Sequence, residues 1–350
     1  TPTKPAPPAD PMNGVTTLDA LLVQQYIVGA YTFADPYKMI AADVNTSNAI
    51  TTLDASIIRQ AILNSPGALA WFLNRPWRFV PTPVNTPYSL GYTPPANPFS
   101  APIPSTRVLS GVVADAVGED FYGIKTGDVN ATGNPLLHPV NDEPLVWKVQ
   151  DQRLEAGKEL LVVFRASQFN NLGAYQFALR FDTAQLELLG VEPLSDALKL
   201  SAGGNFGLHN IANGEIRHVW VDPYGKTLAD GEQAFALRFS ARESGAWLHE
   251  VLGLKPKALA SEAYTVEHAT GDLKLVFTEP QVSTGVHTTD KEQAQLFQNR
   301  PNPFVDHTVI GFFLPEGCDA QLRVLDITGR ELFRIDGTYS AGYHEETIYL

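Results

Sequence analysis

The segment Thr16-Thr17-Leu18-Asp19-Ala20 recurs letter for letter as Thr51-Thr52-Leu53-Asp54-Ala55. Behind each copy, apolar residues follow at the three- and four-residue intervals that mark one face of a helix. They are Leu18, Leu21, Leu22 and Tyr26 in the first copy and Leu53, Ile57, Ile58, Ala61 and Ile62 in the second. The repeat therefore predicts two equivalent helices. Each would begin at a threonine N-cap, with the aspartate three residues later completing a capping box.

The residues before the second copy carry oxygen atoms at the spacing of a calcium-binding loop. Such a loop of about twelve residues supplies ligands from positions one, three, five, seven, nine and twelve, with a tight turn at six. Counted from residue 43, the ligand positions hold Asp43, Asn45, Ser47, the Ala49 carbonyl, Thr51 and Asp54. Position six holds asparagine, which tolerates a positive φ better than most residues. We predict a Ca²⁺ site here, with a metal-free capped turn as the alternative.

The loop before the first copy lacks several of these ligands, because proline and methionine stand at positions one and five. Asp10 and Asp19 remain as its carboxylates. The later segment 127–130 repeats the opening of a calcium loop, although no helix follows it. We therefore predict that Asp128 and Asn130 fold back and supply the missing oxygen atoms of the first loop. The alternative is an Asx-type turn that ends the domain.

Together these features resemble a dockerin, the paired-loop calcium module of cellulosome assembly. We place this domain at residues 10–135, after a proline-rich linker at residues 1–9, and it includes a long insertion that contains residues 77–80. The resemblance implies a small α-helical domain that is stabilised by Ca²⁺ and binds a cohesin partner. The insertion and the depleted first loop depart from the ordinary dockerin pattern.

The apolar period changes from helical to two between residues 142 and 279. Large apolar residues alternate with smaller or polar ones at residues 175–181 and again at 235–240. Glycine-containing turns separate these short runs, and the pattern predicts an antiparallel β-sandwich. The segment 173–182 and the turn at 228–232 resemble a cohesin-like domain. That resemblance implies a dockerin-binding surface, used within one chain or between neighbouring copies, or alternatively a plain spacer.

Four aromatic residues of this region offer planes on which a sugar ring could stack: Trp147, Trp220, Tyr224 and Trp247. Core or rim packing is the more common role of such residues in a small sandwich. A carbohydrate-binding module is therefore one alternative hypothesis for this region.

A final β-rich segment, residues 294–350, follows a polar linker at residues 280–293. Strands are predicted at 308–314, 321–325 and 331–335, and they indicate a small Ig-like β-domain.

Three motifs occur in order in this segment: Pro301-Asn302-Pro303-Phe304, Leu314-Pro315 and the turn Asp326–Arg330. They resemble the C-terminal sorting domain of the bacterial type IX secretion system. The resemblance implies contact with that machinery and an extracellular or cell-surface location after export across the outer membrane. We expect a truncated domain, with further sequence after Leu350 and before Thr1.

Composition excludes several classes of function. A net charge of −13 argues against nucleic acid, because a binding face must neutralise phosphates. No run of about 18 apolar residues is present, which argues against a spanning helix. The single cysteine, Cys318, falls in a predicted turn and forms no disulfide within the chain. No nucleophile elbow, zinc-binding helix or phosphate loop is found, so we predict that the chain is not an enzyme.

The sequence thus predicts a multi-domain chain: a dockerin-like calcium domain, a cohesin-like antiparallel β-sandwich and an Ig-like sorting domain. Its predicted function is that of a non-catalytic, calcium-stabilised C-terminal region of a large secreted or cell-surface protein. This region would have a structural or adhesive role and could assemble with copies of itself into a fibre. The alternatives are accessory modules of a secreted polysaccharide hydrolase or protease, and a carbohydrate-binding module.

Overall fold

The structure, a computed structural model, describes residues 11–131 and 144–278, and parts of the tail at 294–296, 299, 307–315, 317–325, 330–340 and 342–349. The chain divides into two compact units, Thr1–Thr278 and Glu279–Leu350. The predicted helical module and the predicted sandwich therefore belong to one compact unit.

Four helices and a two-stranded sheet form the first part of this unit. The helices are α1 (Thr17–Ile27), α2 (Pro36–Ala42), α3 (Thr52–Ile62) and α4 (Pro66–Asn74). The strands β1 (Trp77–Pro81) and β2 (Phe121–Lys125) pair antiparallel, and the rest of the insertion runs between them with a short 3-10 turn at Pro98–Ser100. The helices α1 and α3 are the two that the repeat predicts. The helices α2 and α4, which the repeat does not predict, both begin at a proline, whose fixed φ suits the first helical turn.

Both repeat helices begin with the predicted threonine cap. In α1, the amide N–H of Leu18 donates to Oγ1 of Thr16 at 3.3 Å, and the Thr16 N–H donates to Oδ2 of Asp19 at 2.8 Å. In α3, the Thr51 N–H donates to Oδ2 of Asp54 at 2.9 Å. Each cap satisfies backbone groups that a helix start leaves open and contributes about 1 kcal/mol.

Ten strands and two short helices form the second part of the unit. They are β3 (Leu145–Gln150), β4 (Glu159–Ser167), β5 (Leu172–Phe181), β6 (Leu186–Pro193), α5 (Ala202–Asn205), β7 (Phe206–Gly207), β8 (Glu215–Lys226), β9 (Gln233–Ala241), α6 (Leu248–Val251), β10 (Leu252–Leu254), β11 (Glu262–Thr265) and β12 (Thr270–Thr278), with a 3-10 turn at Ile211–Asn213. The strands form one continuous sheet in the order β6-β9-β4-β3-β12-β11-β5-β8-β7, and β10 pairs with β5.

This sheet folds into two layers around an aromatic core, as the predicted sandwich requires. The ring of Phe164 on β4 stacks on Phe235 of β9 with centroids 4.4 Å apart. Across the layers, the same ring faces Phe177 of β5 at 6.5 Å. Trp147 of β3, which is fully buried, meets Tyr175 of β5 edge-on at 5.4 Å. Such offset and edge-on aromatic pairs add about 0.5–1.5 kcal/mol each beyond their buried area.

The prediction of a purely antiparallel sandwich was wrong at one pairing. Strand β12 runs parallel to β3, from Leu273 opposite Leu145 to Thr278 opposite Gln150. These are the first and last strands of the sandwich, so no hairpin joins them. A long connection leaves the direction of pairing open, whereas a short turn would force it to be antiparallel.

The predicted alternation of buried and exposed residues also fails on β5. Gln176 and Ala178, the polar and the small residue that alternate with the large apolar ones, are both buried. The core covers one face of β5, and the helical part of the unit lies against the other. A strand that is covered on both faces loses the two-residue period of burial.

The tail forms two small sheets. Strands β13 (Gln295–Leu296), β14 (His307–Leu314) and β17 (Gly342–Tyr349) form one, and β15 (Cys318–Leu325) and β16 (Glu331–Tyr339) form the other. The three predicted strands are present and extend beyond their predicted ends. Cys318 begins β15 and does not lie in a turn. The motif Pro301-Asn302-Pro303-Phe304 and most of the turn at 326–330 lie outside the described residues.

Among the described residues, none of the helices reaches the length and hydropathy that crossing a bilayer would require.

Candidate calcium loops and the interface between the modules

The oxygen atoms of the loop at residues 43–54 converge around Ser47. Its N–H donates to Oδ1 of Asp43 at 2.8 Å and to Oδ1 of Asn45 at 2.9 Å. Its hydroxyl lies 3.4 Å from Oδ1 of Asp43 and 3.2 Å from the Ala49 carbonyl oxygen. The N–H of Asn45 donates to Oδ1 of Asp54 at 3.2 Å, which brings the two ends of the loop together. Both aspartates are buried.

The turn at position six has the backbone conformation that the loop pattern predicts. Asn48 has a φ of 63°, and its N–H donates to Oδ2 of Asp43 at 3.1 Å. Thr51, at position nine, is the N-cap of α3, and its N–H and hydroxyl both donate to Oδ2 of Asp54 at 2.9 Å. Asp54 therefore turns one oxygen to the helix cap and the other to the loop.

The donor set of this loop fits a hard cation such as Ca²⁺, which takes six to eight oxygen ligands. Asp43, Asn45, Ser47, the Ala49 carbonyl and Asp54 would hold it. Within the described ranges, no three His, Cys, Asp or Glu side chains are close enough to form a metal site alone. A cation here would therefore depend on neutral oxygen atoms as well as on two carboxylates, a composition that favours a weak, extracellular type of site.

The first loop receives the segment that was predicted to fold back onto it. The N–H groups of Val129 and Asn130 donate to Oδ1 of Asp19 at 2.8 and 3.2 Å. Asp128 lies near enough for its charge to act on Asp19. The structure thus brings together three of the four residues predicted for this site, and Asp10 lies outside the described residues. Their role as cation ligands stays a prediction.

Burial raises the pKa of Asp19 to about 8, and the nearby charge of Asp128 adds to this shift. The backbone N–H groups of Thr16, Val129 and Asn130 act in the opposite direction but do not cancel it. Negative charge is therefore costly at this position unless a proton or a cation compensates for it.

Arg78, on β1, makes an ion pair with the second loop that the sequence pattern did not predict. Its Nη1 lies 3.3 Å from Oδ2 of Asp43 and 3.4 Å from the carbonyl oxygen of Ile40, near the end of α2. The contact joins the insertion to the loop at residues 43–54. The preceding arginine of this region, Arg75, instead donates to the hydroxyl of Thr46 at 2.6 Å.

The helix α1 lies on the outer face of β5 and β8 and shares a core with it. Leu18 and Leu21 of α1 belong to the same buried cluster as Ala174 of β5, Val219 of β8 and Tyr264 of β11. A fully buried leucine contributes about 1.5–3 kcal/mol relative to an exposed one. The apolar part of this interface is therefore continuous with the interior of the helical part.

Two buried glutamines supply polar contacts at this interface. The N–H of Thr17 donates to Oε1 of Gln176 at 2.9 Å. From α1, Nε2 of Gln25 donates to the carbonyl oxygens of Pro223 at 3.3 Å and Val266 at 3.1 Å. These bonds fix the rotation of α1 on the sheet because buried polar groups are costly when unpaired.

Residues 13–63 match the family model of the dockerin type I domain. That is a calcium-binding class of domain, which supports Ca²⁺ as the ion of the loop at 43–54. The match covers α1 to α3 and both copies of the repeat, and it ends before the insertion.

Solved structures similar to this chain include cohesins and cohesin–dockerin complexes. The seventh ScaB type I cohesin from Pseudobacteroides cellulosolvens has 17% identity and a TM-score of 0.31, over 42% of this chain and 99% of that one. A type I cohesin–dockerin complex from Clostridium thermocellum has 16% identity and a TM-score of 0.31, over 40% and 94%. The second type II cohesin module of the ScaA scaffoldin of Acetivibrio cellulolyticus has 10% identity and a TM-score of 0.30, over 38% and 92%. No curated protein matches this chain.

The end of α3 also touches the sandwich, through main-chain atoms on both sides. Nη2 of Arg59 donates to the carbonyl oxygen of Gly204 at 2.9 Å, and Nη1 of Arg217 donates to that of Ile62 at 3.1 Å. At Gly207 on β7, an added Cβ would lie 2.1 Å from the carbonyl oxygen of Leu63. A side chain at position 207 is therefore incompatible with this approach.

The two repeat helices differ in the apolar residues that they place against the sandwich. Leu18 is 2% exposed, whereas its repeat equivalent Leu53 is 55% exposed. Leu21, which is buried under Gly173, corresponds to Ser56, which is exposed. The segment that matches the dockerin model thus has two similar helices, of which α1 buries the apolar residues at these positions and α3 leaves them exposed or replaces them.

The aromatic residues considered for sugar binding are mostly structural. Trp147 and Trp220 are buried in the sandwich core. Trp247 lies under the guanidinium of Arg153 at 5.0 Å from the ring centroid. Tyr224 is 69% exposed. At least two of the four residues therefore present no plane to a ligand.

Proposed function

We propose that this chain is a non-catalytic, calcium-stabilised structural region of a larger secreted or cell-surface protein, in which the dockerin module pairs with the sandwich of the same chain. The observation that carries the proposal is the apolar face of α1 on β5 and β8. Dockerin and cohesin-like modules mediate protein–protein assembly. Here α1 of the same chain covers the outer face of β5 and β8, so this pairing holds the two modules together. The covered face is not available to a second copy.

The tether between the modules favours pairing within the chain. The segment from residue 132 to 143 joins them, and a short linker gives a local concentration in the millimolar range. A second copy would have to reach a comparable concentration to displace the attached module.

Calcium has a defined structural task in this proposal. The loop at 43–54 joins the end of α2 to the start of α3, and its two buried aspartates carry like charges. A cation between them offsets that repulsion and fixes the angle between the two helices. Millimolar extracellular calcium would fill even a weak loop of this kind.

Thermal unfolding of the full chain tests the calcium part. A cation that binds the folded state alone stabilises it by about 2.7 kcal/mol at a hundredfold excess over its Kd. Excess chelator should therefore lower the Tm, and Asp54→Asn should reduce the difference between the two conditions. Asp182→Asn, on an exposed turn of the sandwich, is the control and should keep the full difference. Equal Tm values with and without chelator would show that no such site contributes.

Cleavage of the linker tests the pairing. Cleavage at a protease site introduced between Ala131 and Pro144 would break the covalent link between the modules, and gel filtration would show whether they remain associated. We expect the two pieces to elute as one complex in the parent chain. Leu21→Glu, which places a charge under Gly173, should release them, whereas Ser56→Glu on the exposed face of α3 should not. Separation of the parent pieces at micromolar concentration would contradict the pairing.

Export by type IX secretion and a structural or adhesive role belong to the same proposal. They rest on the ordered motifs of residues 294–350, of which Pro301-Asn302-Pro303-Phe304 is the most specific. In a bacterium that has this system, a periplasmic reporter fused to residues 280–350 should reach the culture medium or the cell surface. Replacement of residues 301–304 by alanine should retain it in the periplasm. Export that is equal with residues 301–304 intact and replaced would count against the assignment.

A further inference from the structure

The guanidinium of Arg78 lies where the insertion meets the calcium loop. Arg78 contacts the Ile40 carbonyl oxygen and Oδ2 of Asp43, so it bridges the end of α2 and the first ligand position of the loop. Its side chain is 18% exposed, and that of Asp43 is completely buried. An ion pair so enclosed is weakly screened by solvent compared with a surface pair.

The two oxygens of the Asp43 carboxylate have different surroundings. Oδ1 faces the inside of the loop, where the N–H and hydroxyl of Ser47 contact it. Oδ2 receives the N–H of Asn48 and the guanidinium of Arg78. The arginine therefore contacts Oδ2, whereas Oδ1 points toward the other predicted ligand residues of the loop.

We propose that Arg78 sets the calcium affinity of the loop at residues 43–54. Without calcium, its charge compensates the buried Asp43 and keeps the loop folded. With calcium, the same carboxylate is shared by the cation and the guanidinium, and the two positive charges repel each other. Arg78 thus makes the loop less dependent on calcium and its calcium binding weaker. The inference rests on the proposed calcium binding at this loop and adds its control by the insertion.

Isothermal titration of the metal-depleted full chain with CaCl₂ tests this inference. Arg78→Gln removes the charge and should tighten Kd about tenfold, which corresponds to about 1.4 kcal/mol. Arg78→Lys keeps the positive charge, and its Kd for calcium should stay within about threefold of the parent value. Arg75→Gln is the matched control, because Arg75 reaches the same loop through the hydroxyl of Thr46, which is not a predicted ligand, and its Kd should also stay within about threefold of the parent value. Adding Asp54→Asn to Arg78→Gln identifies which binding event belongs to this loop, since that event should disappear.

Thermal unfolding provides a second readout. In chelator, the Tm of Arg78→Gln should fall below those of the parent and Arg75→Gln, because a buried carboxylate has lost its compensating charge. In saturating calcium the three values should converge. If the variant does not stay folded without calcium, its Kd is obtained by competition with a chelator of known affinity, starting from the calcium-loaded protein.

The outcomes separate this inference from the proposed function. A parent chain that binds no calcium overturns the calcium site, and the role of Arg78 with it. A parent chain that binds calcium while Arg78→Gln binds equally or more weakly overturns the role of Arg78 alone. That role is also overturned if Arg78→Lys tightens binding as much as Arg78→Gln, because charge would then not be the cause.

Discussion

The contact of Gly207 with the end of α3 gives a sharp test of the module interface. In Gly207→Ala, the new Cβ would lie 2.1 Å from the carbonyl oxygen of Leu63 and 2.9 Å from its carbonyl carbon. Ordinary carbon–oxygen contacts are more than 1 Å longer than the first of these distances, and both atoms belong to the main chain, which cannot rotate away. Overpacking typically costs about 1–3 kcal/mol, and we expect a value of about 3 kcal/mol here.

Urea unfolding of the full chain, followed by tryptophan fluorescence, measures this effect. Gly190→Ala on β6 is the matched control, since an added Cβ there meets no atom within 4 Å. Both glycines lie in strands and neither has a positive φ, so the two substitutions differ chiefly in the approach of Leu63. If Gly207→Ala unfolds within about 0.5 kcal/mol of Gly190→Ala, the end of α3 is not seated on β7.

Three further outcomes are expected. Gln25→Leu should cost about 1–3 kcal/mol in urea unfolding, because it removes the hydrogen bonds to the partly buried carbonyls of Pro223 and Val266. Gln60→Leu at the equivalent repeat position should cost under about 1 kcal/mol, because its bond to Gly203 is exposed, and equal losses from the two variants would place Gln25 outside the interface. Burial lowers the pKa of His218 from its ordinary value of 6.5 to about 3, so between these two pH values the unfolded chain binds a proton that the folded chain does not. The free energy of unfolding should therefore decrease as the pH falls from 6.5 to about 3, by up to about 1.4 kcal/mol per pH unit. His218→Gln should flatten the dependence of the free energy of unfolding on pH in this range, whereas His209→Gln, at an exposed position, should not. A dependence that His218→Gln leaves unchanged would contradict the burial argument.

The sequence predicted the parts of the fold that local chemistry determines. The repeated pentapeptide fixed the starts of α1 and α3, because the cap and the capping box lie within four residues of each other. The spacing of oxygen-bearing residues predicted a cation at the second loop; the structure brings several of these oxygen atoms together around Ser47, and their role as ligands stays a prediction. The return of residues 128–130 to Asp19 was also predictable, since the missing ligands of one loop reappear as a fragment elsewhere.

Contacts between distant segments escaped prediction. Gln176 was predicted only as a polar residue of an alternating strand, and it accepts from the N–H of Thr17, which lies 159 residues away in the chain. A single polar residue in an alternating strand gives no signal that a helix will cover it. Arg78 was likewise expected only as part of an insertion, because its distance to Asp43 depends on how β1 packs against α2. The parallel pair of β3 and β12 depends on the path of the whole sandwich, which no short pattern encodes.

That parallel pair has a mechanical consequence. The chain enters the sandwich at the Leu145 end of the pair and leaves it at the Thr278 end, and the two ends are about 20 Å apart for strands of this length. Once the helical part has left the sheet, tension between the preceding and following segments would pull β3 and β12 past each other along their length. All the hydrogen bonds between the two strands would then be loaded in shear at the same time, instead of breaking one after another from one end. This geometry therefore opposes extension of the chain along the direction of the two strands.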